Sequence, residues 1–279
     1  GDHRDLPSFP TRRSSDLGGR GAVSVFAGNR GTAGAAVLAC RSAAAAGAGS
    51  VTLLVREELL PVLGAQLVET MVRPVTDPGT RRFDACLAGP GWGADERNAA
   101  TLATLYDAAI PLVLDADALH LLAAGTYGTR CSPLVLTPHP GEALSLLVIA
   151  TGGTVDDPEA LDLARRRLEL DTASAALDIA VRWGAVVVLK GAVTWIVTPD
   201  GTSRVWDGRN AMLATAGSGD VLAGTIGALL ARGLNAVDAA TAGVILHGMA
   251  GNEAGRHGFF PAGDLVQYIA LIAGGGTHG

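Results

Sequence analysis

From residue 21 onward, short apolar runs alternate along the chain with longer helical stretches. Ala22–Ala27 (AVSVFA) runs into Gly28 and reads as a buried strand. An Ala-rich helix over Thr32–Ala46 follows, stopped by Gly47. Ser50–Val55 (SVTLLV) and Asp84–Ala88 (DACLA) are the next strands, the second leading into the turn Gly89–Gly93, and Arg97–Ala109 is a helix. Pro111–Leu114 and Leu134–Leu136 are strands ending at Asp115 and Thr137. Asp171–Trp183 is helical and feeds the strand Val186–Leu189. Thr194–Thr198 and Ser203–Trp206 flank Pro199-Asp200-Gly201, a hairpin signal. Beyond that the chain is helical. Val221–Arg232 ends at Gly233, and Asn235 with Asp238 forms a capped start for Ala236–Ala254. Strands alternating with helices of this length predict βαβ units and a mostly parallel sheet covered on both faces, an α/β fold.

In such sheets ligands bind beyond the carboxyl ends of the strands. Five polar or Gly-rich turns follow strands here: Gly28–Gly31, Gly89–Gly93, Asp115–Asp117, Thr137–Glu142 and Lys190-Gly191. The most informative stretch is Ala214–Asp220 (ATAGSGD), which opens a helix. Its small residues Gly217, Ser218 and Gly219 let backbone N–H groups converge, and the helix amino terminus adds partial positive charge, suiting a phosphate or developing oxyanion. Asp220 on the first turn can take a proton from a hydroxyl attacking phosphorus. The alternative is that Ser218 and Asp220 only cap the helix. Lys190-Gly191-Ala192-Val193-Thr194, between strand and hairpin, can hold a nucleotide phosphate by its ammonium and N–H groups, or be a solvated turn. His139 between two prolines is excluded from a helix interior and is held on a turn.

Composition narrows the class. Within 279 residues, 21 basic and 27 acidic side chains give a net charge of −6, which leaves no basic excess for nucleic acid. No apolar run reaches membrane-spanning length. Three separated cysteines, Cys40, Cys86 and Cys131, fit neither a disulfide framework nor a CxxC site, so the expected compartment is the cytoplasm. Twenty of the 21 basic residues are arginine, and Lys190 is the one lysine. Either a point charge on a flexible stem is retained there because a planar fork does not fit, or this one lysine survived by chance. Residues 1–17 carry neither initiator Met nor apolar core and contain SFPTRRSSDL, which reads as a translated adaptor. They are expected to be a non-native tail, the alternative being a disordered native one, with 18–279 forming one domain.

The segments AGNRGTAGAAVLA, AGPGWGADE, PLVLDADAL, VLTPHPGEA, VVVLKGAVT, ATAGSGDVLAG and LHGMAG, taken in order, resemble the NAD(P)H-hydrate dehydratase family of the ribokinase-like superfamily. The resemblance implies a three-layer ribokinase-like fold. It also implies dehydration of the (S)-hydrates of NADH and NADPH at the expense of ADP in bacteria or ATP in eukaryotes. By analogy with the family alone, the GC-rich bacterial character of the sequence implies ADP. The ring hydroxyl would take a phosphoryl group, and the ring nitrogen would then expel phosphate. Carried over by position, Asp220 is the catalytic base, Gly217, Ser218 and Gly219 the anion hole, and Lys190, Gly191, Ala192, Val193 and Thr194 the nucleotide segment. Ala35, Gly93 and His139, with Asp220, would contact the hydrated dinucleotide. Mg²⁺ is implied with the phosphates, its ligands unassigned apart from Glu142 as a candidate. A homo-oligomer, possibly a tetramer, is implied as well, with neither nucleic acid nor membrane as partner.

Some positions depart from the family pattern. Asn210–Ala214 (NAMLA) lacks the family's Pro and Gly, His120 replaces a usual Asn, and 143–185 is longer than typical, as expected of a surface insertion with Arg165–Arg167 on a solvated helix face. The competing function is an ATP-dependent small-molecule kinase of the same superfamily, similar to hydroxyethylthiazole kinase. It would use Asp220 and the anion hole but stop after phosphoryl transfer. A third is a nucleotide-binding module without turnover, against which Asp220 argues. Cys40, Cys86, Cys131, His247 and His257 are expected to be core or surface filling.

Overall fold

Seven parallel strands and an antiparallel hairpin form one sheet in the computed structural model, which describes residues 17–79, 82–208, 211–256 and 258–275. All of the tail but Leu17, together with Asn210 and His257, lies outside the described residues. The strands are β1 (Ala22–Phe26), β2 (Ser50–Val55), β3 (Met71–Pro74), β4 (Ala85–Ala88), β5 (Leu112–Leu114), β6 (Leu134–Leu136), β7 (Val186–Leu189), β8 (Thr194–Val197) and β9 (Ser203–Trp206). Their order is β3-β2-β1-β4-β5-β6-β7-β8-β9, parallel from β3 to β7 and antiparallel over the last two pairings.

The helices are α1 (Ala33–Ala45), α2 (Leu60–Gln66), α3 (Glu96–Asp107), α4 (Asp117–Ala124), α5 (Pro140–Ala150), α6 (Pro158–Leu170), α7 (Thr172–Trp183), α8 (Ser218–Ala231), α9 (Ala236–Gly255) and α10 (Ala262–Ala273). The period-2 alternation of each strand divides its side chains between two cores. Val23, Val25, Leu87, Val113, Val135 and Val188 pack with α1, α8, α9 and α10. Phe26, Ala88, Leu114, Leu136 and Leu189 face the other way, onto α3, α4, α5 and α7. The result is the three-layer α/β arrangement expected from the sequence, with α8, buried almost throughout, across the middle of one face.

Two expectations change. The stretch 143–185 is not a surface insertion throughout. It contains most of α5, which buries Leu146 and Leu147 in the core, as well as α7 with its fully buried Trp183. Only α6 behaves as a surface element, burying Ala164 alone and carrying Arg165 and Arg166 on its exposed side against Asp162. The strand expected from Asp84 begins at Ala85, and Asp84 just before it donates its N–H to Ala22 O at 2.8 Å and accepts the Ala22 N–H on its carboxylate at 2.8 Å. The capped start of α9 is as expected, with Asn235 Oδ1 accepting the Asp238 N–H at 2.9 Å.

Candidate active site

The five polar turns follow β1, β4, β5, β6 and β7, which are five consecutive neighbours in the sheet, so all five turns lie along one edge. Backbone bonds extend the ladder past the strands: Gly89 N–H to Phe26 O, Asp115 N–H to Ala88 O, Thr137 N–H to Leu114 O, and Lys190 N–H to Pro138 O. Gly89, at φ +124°, has no room for a side chain, since a Cβ there would stand 1.7 Å from the Asp115 carbonyl oxygen. That close approach brings the β4 turn against the β5 turn, where Ala116 adopts φ 48°.

At the centre of this edge lies a buried network. Asp115 Oδ1 accepts from Thr137 Oγ1 at 2.8 Å and from Lys190 Nζ at 2.8 Å, and Glu142 Oε2 stands 3.9 Å from the same ammonium. Lys190 is therefore not a solvated surface lysine. Burial disfavours its charge, but the Asp115 and Glu142 carboxylates outweigh this and its pKa is raised. Across from it is the amino terminus of α8. Gly217, at φ +90°, is the N-cap residue and no side chain caps the helix, so the first-turn N–H groups of Gly219 and Asp220 have no partner within the helix. A Cβ on Gly219 would come within 3.2 Å of Lys190 Nζ, which leaves little space for a guanidinium.

Asp220 sits half-buried on that first turn. Burial first, then the negative charges of Asp115, Asp117 and Glu142, push its carboxyl up to about 7, with Lys190 pulling the other way. Near neutral pH Asp220 thus exchanges a proton readily, which is what a general base needs. Asp117 in turn accepts the Gly93 N–H at 2.7 Å, and Ala35 lies beneath the same turn, where a Cβ on Gly91 would be 3.0 Å from its own.

A cavity of about 710 Å³ opens beside this network, lined among others by His139, Lys190, Gly191, Ala192, Thr194, Ser218 and Gly219. The structure therefore brings most of the sequence-predicted nucleotide and anion residues together with His139. Gly217, Asp220, Val193, Ala35 and Gly93 are not in that wall; Gly93 donates its N–H to Asp117, whose charge acts on Asp220, and Ala35 lies against Gly91 of the same turn. His139 caps α5, its Nδ1 accepting the Gly141 N–H at 2.9 Å and Glu142 N–H at 3.3 Å, while Glu142 accepts the His139 N–H at 2.8 Å.

These engagements bear on Mg²⁺. Among the described residues no three His, Cys, Asp or Glu side chains converge as a metal site. Glu142 is occupied by the His139 N–H, and Asp115 by Lys190. The described residues do not form a resident Mg²⁺ site, and an ion accompanying a nucleotide would be held largely by its phosphates.

Two partners lay outside the sequence-based site. Asp115 was visible only as a turn residue. His247, expected to be core filling, lines the cavity and meets Ser218 with Nε2 at 2.9 Å from Oγ and 3.0 Å from the carbonyl oxygen. No sequence spacing reports that pairing across α8 and α9.

A mostly parallel three-layer sheet with an uncapped helix terminus, a lysine and a proton-exchanging carboxylate at one edge defines a ribokinase-like α/β protein. Solved structures agree. The chain is similar to a ribokinase-like superfamily protein from Enterococcus faecalis, with a TM-score of 0.79 at 24% identity over 98% of this chain and 91% of that one. It is also similar to the ADP/ATP-dependent NAD(P)H-hydrate dehydratase of Bacillus subtilis co-crystallised with ATP/Mg²⁺, with a TM-score of 0.79, 28% identity, and coverage of 95% and 93%. Residues 23–270 match the family model for NAD(P)H-hydrate dehydratase, and the chain belongs to that family. Among curated relatives it is 37% identical to the ADP-dependent (S)-NAD(P)H-hydrate dehydratase of Neisseria meningitidis, over 93% of this chain and 86% of that protein. Of the bifunctional NAD(P)H-hydrate repair enzymes the chain spans about half the length, 51% for that of Moorella thermoacetica, at 37% identity. Among the described residues no helix is long and apolar enough to cross a membrane.

Proposed function

We propose that the chain dehydrates the (S)-hydrates of NADH and NADPH using ADP, and that Asp220 is its base. The observation that carries this is a carboxylate with a pKa near 7 on the first turn of an uncapped helix, in the field of a lysine beside a nucleotide-sized cavity. Lys190, Gly219 and Ser218 hold the phosphates, and Thr194 with the Lys190–Val193 turn bounds the nucleotide. Asp220 takes the proton of the ring hydroxyl as its oxygen bonds to the β-phosphorus of ADP, and the bond to the bridging oxygen breaks to release AMP. The ring nitrogen lone pair then expels phosphate, and loss of a proton from the adjoining carbon restores the double bond. Phosphorylation converts a poor leaving group into a good one. Gly93, bonded to Asp117, and Ala35, against Gly91 of the same turn, are read as contacts to the hydrated ring. Cytoplasmic location and a homo-oligomeric, tetrameric state belong to the same proposal.

Incubation of the chain with chemically hydrated NADH, Mg²⁺ and either ADP or ATP tests it. Dihydronicotinamide absorbance should return with ADP and AMP should accumulate in step. Asp220→Asn should retain ADP binding while turnover drops by about 10²–10⁴-fold. A folded protein that binds nucleotide and phosphorylates small alcohols without restoring the dinucleotide would instead be the kinase.

A further inference from the structure

The Ser218–His247 pair carries an inference that rests on the proposed nucleotide site. Both side chains are buried, at 5% and 9% exposure, and both line the cavity. His247 Nε2 stands 3.0 Å from the Ser218 carbonyl oxygen and 2.9 Å from its Oγ. A carbonyl oxygen has no proton to give, so a nitrogen hydrogen-bonded to it must be the donor. The ring is neutral, because burial first, with the Lys190 charge adding to it, pushes the His247 pKa down to about 4. A neutral imidazole has one N–H, and here that proton lies on Nε2, shared between the two Ser218 oxygens. Oγ is then an acceptor towards His247, and its own proton is free to point elsewhere.

We propose that His247 is a positioning residue of the cavity: by donating from Nε2 to Ser218 it turns the Ser218 hydroxyl proton towards the bound phosphate. In the opposite tautomer Oγ would donate to the ring and present its lone pairs to the anion, adding repulsion where α8 and Lys190 supply attraction. His247 thereby makes Ser218 a further donor beside the first-turn N–H groups of α8, without itself carrying charge.

Two measurements test this. Long-range proton–nitrogen correlation on the free wild-type protein, with the His247 ring assigned by its loss in His247→Gln, should show the proton on Nε2. ADP affinity is then measured by calorimetry for wild type, His247→Gln, His247→Leu, Ser218→Ala and the Ser218→Ala/His247→Leu double variant. The Gln amide can donate from the position of Nε2, so that variant should bind within a few-fold of wild type. Leu should weaken ADP by about tenfold, the scale of one hydrogen bond to a charged group. In the Ser218→Ala background the Leu change should cost nothing further. A proton on Nδ1, or a Leu loss of equal size with and without Ser218, overturns the inference while tight wild-type binding leaves the proposed function standing. Wild-type protein that binds no ADP overturns both.

Discussion

Asp220 draws its chemistry from its neighbours. Its carboxyl is held near 7 by burial and by Asp115, Asp117 and Glu142, and only its ionised form can accept the substrate proton. Turnover should therefore fall as pH drops through about 7 and level off above it. Asp115→Asn removes one repelling charge and frees Lys190 from its ion pair, and both changes lower the Asp220 pKa. The acid limb of the pH–rate profile should move to lower pH, and an unmoved limb would remove Asp115 from the account. The base and the anion site were legible in the sequence because small residues running straight into a carboxylate are a local signal. Lys190 stood out by being the single lysine. Asp115 was legible as a turn residue but not as the partner of Lys190, 75 positions away, and the Ser218–His247 contact depends on two helices meeting.

The elements most readily legible were those with contiguous apolar runs or strong end signals: β1, β2, β4 to β7, the hairpin, and α1, α3, α7, α8 and α9. Others left weaker traces. The amino terminus of α5 hides behind Pro138-His139-Pro140, since Pro140 at the first helical position starts the helix and His139 is an uncommon cap. The start of α4 follows Ala116 in a conformation that L-residues seldom adopt. β3 is an edge strand with Met71 exposed and no apolar run. The turns after β4 and β5 approach closely at Gly89, and a side chain there meets backbone rather than a movable neighbour. Gly89→Ala should destabilise the fold by about 3 kcal/mol or more, read as a lowered denaturant midpoint. A variant of unchanged midpoint would show that the β4 and β5 turns can separate.

At the scale of the whole molecule, the sheet order decides which sequence-distant turns become neighbours. Because β6 and β7 lie side by side with the hairpin beyond them, a nucleotide in the cavity would touch the turns after both strands together with the hairpin, α8 and α9. Binding there should stabilise the chain as a unit. ADP at about a hundred times its dissociation constant should add about 2.7 kcal/mol, visible as a rise of several degrees in Tm. The same shift in Lys190→Met would place the nucleotide elsewhere. The antiparallel hairpin carries a further consequence. Its Trp206 lines the cavity, whereas Trp92 and Trp183 are buried away from it and Trp195 is also outside its wall. The indole edge is already tight against Gly248, where a Cβ would come within 2.4 Å of Nε1. The protein thus carries its own optical reporter: nucleotide entry should change the Trp206 emission, and Trp206→Phe should silence that response while leaving the other three tryptophans to signal unfolding.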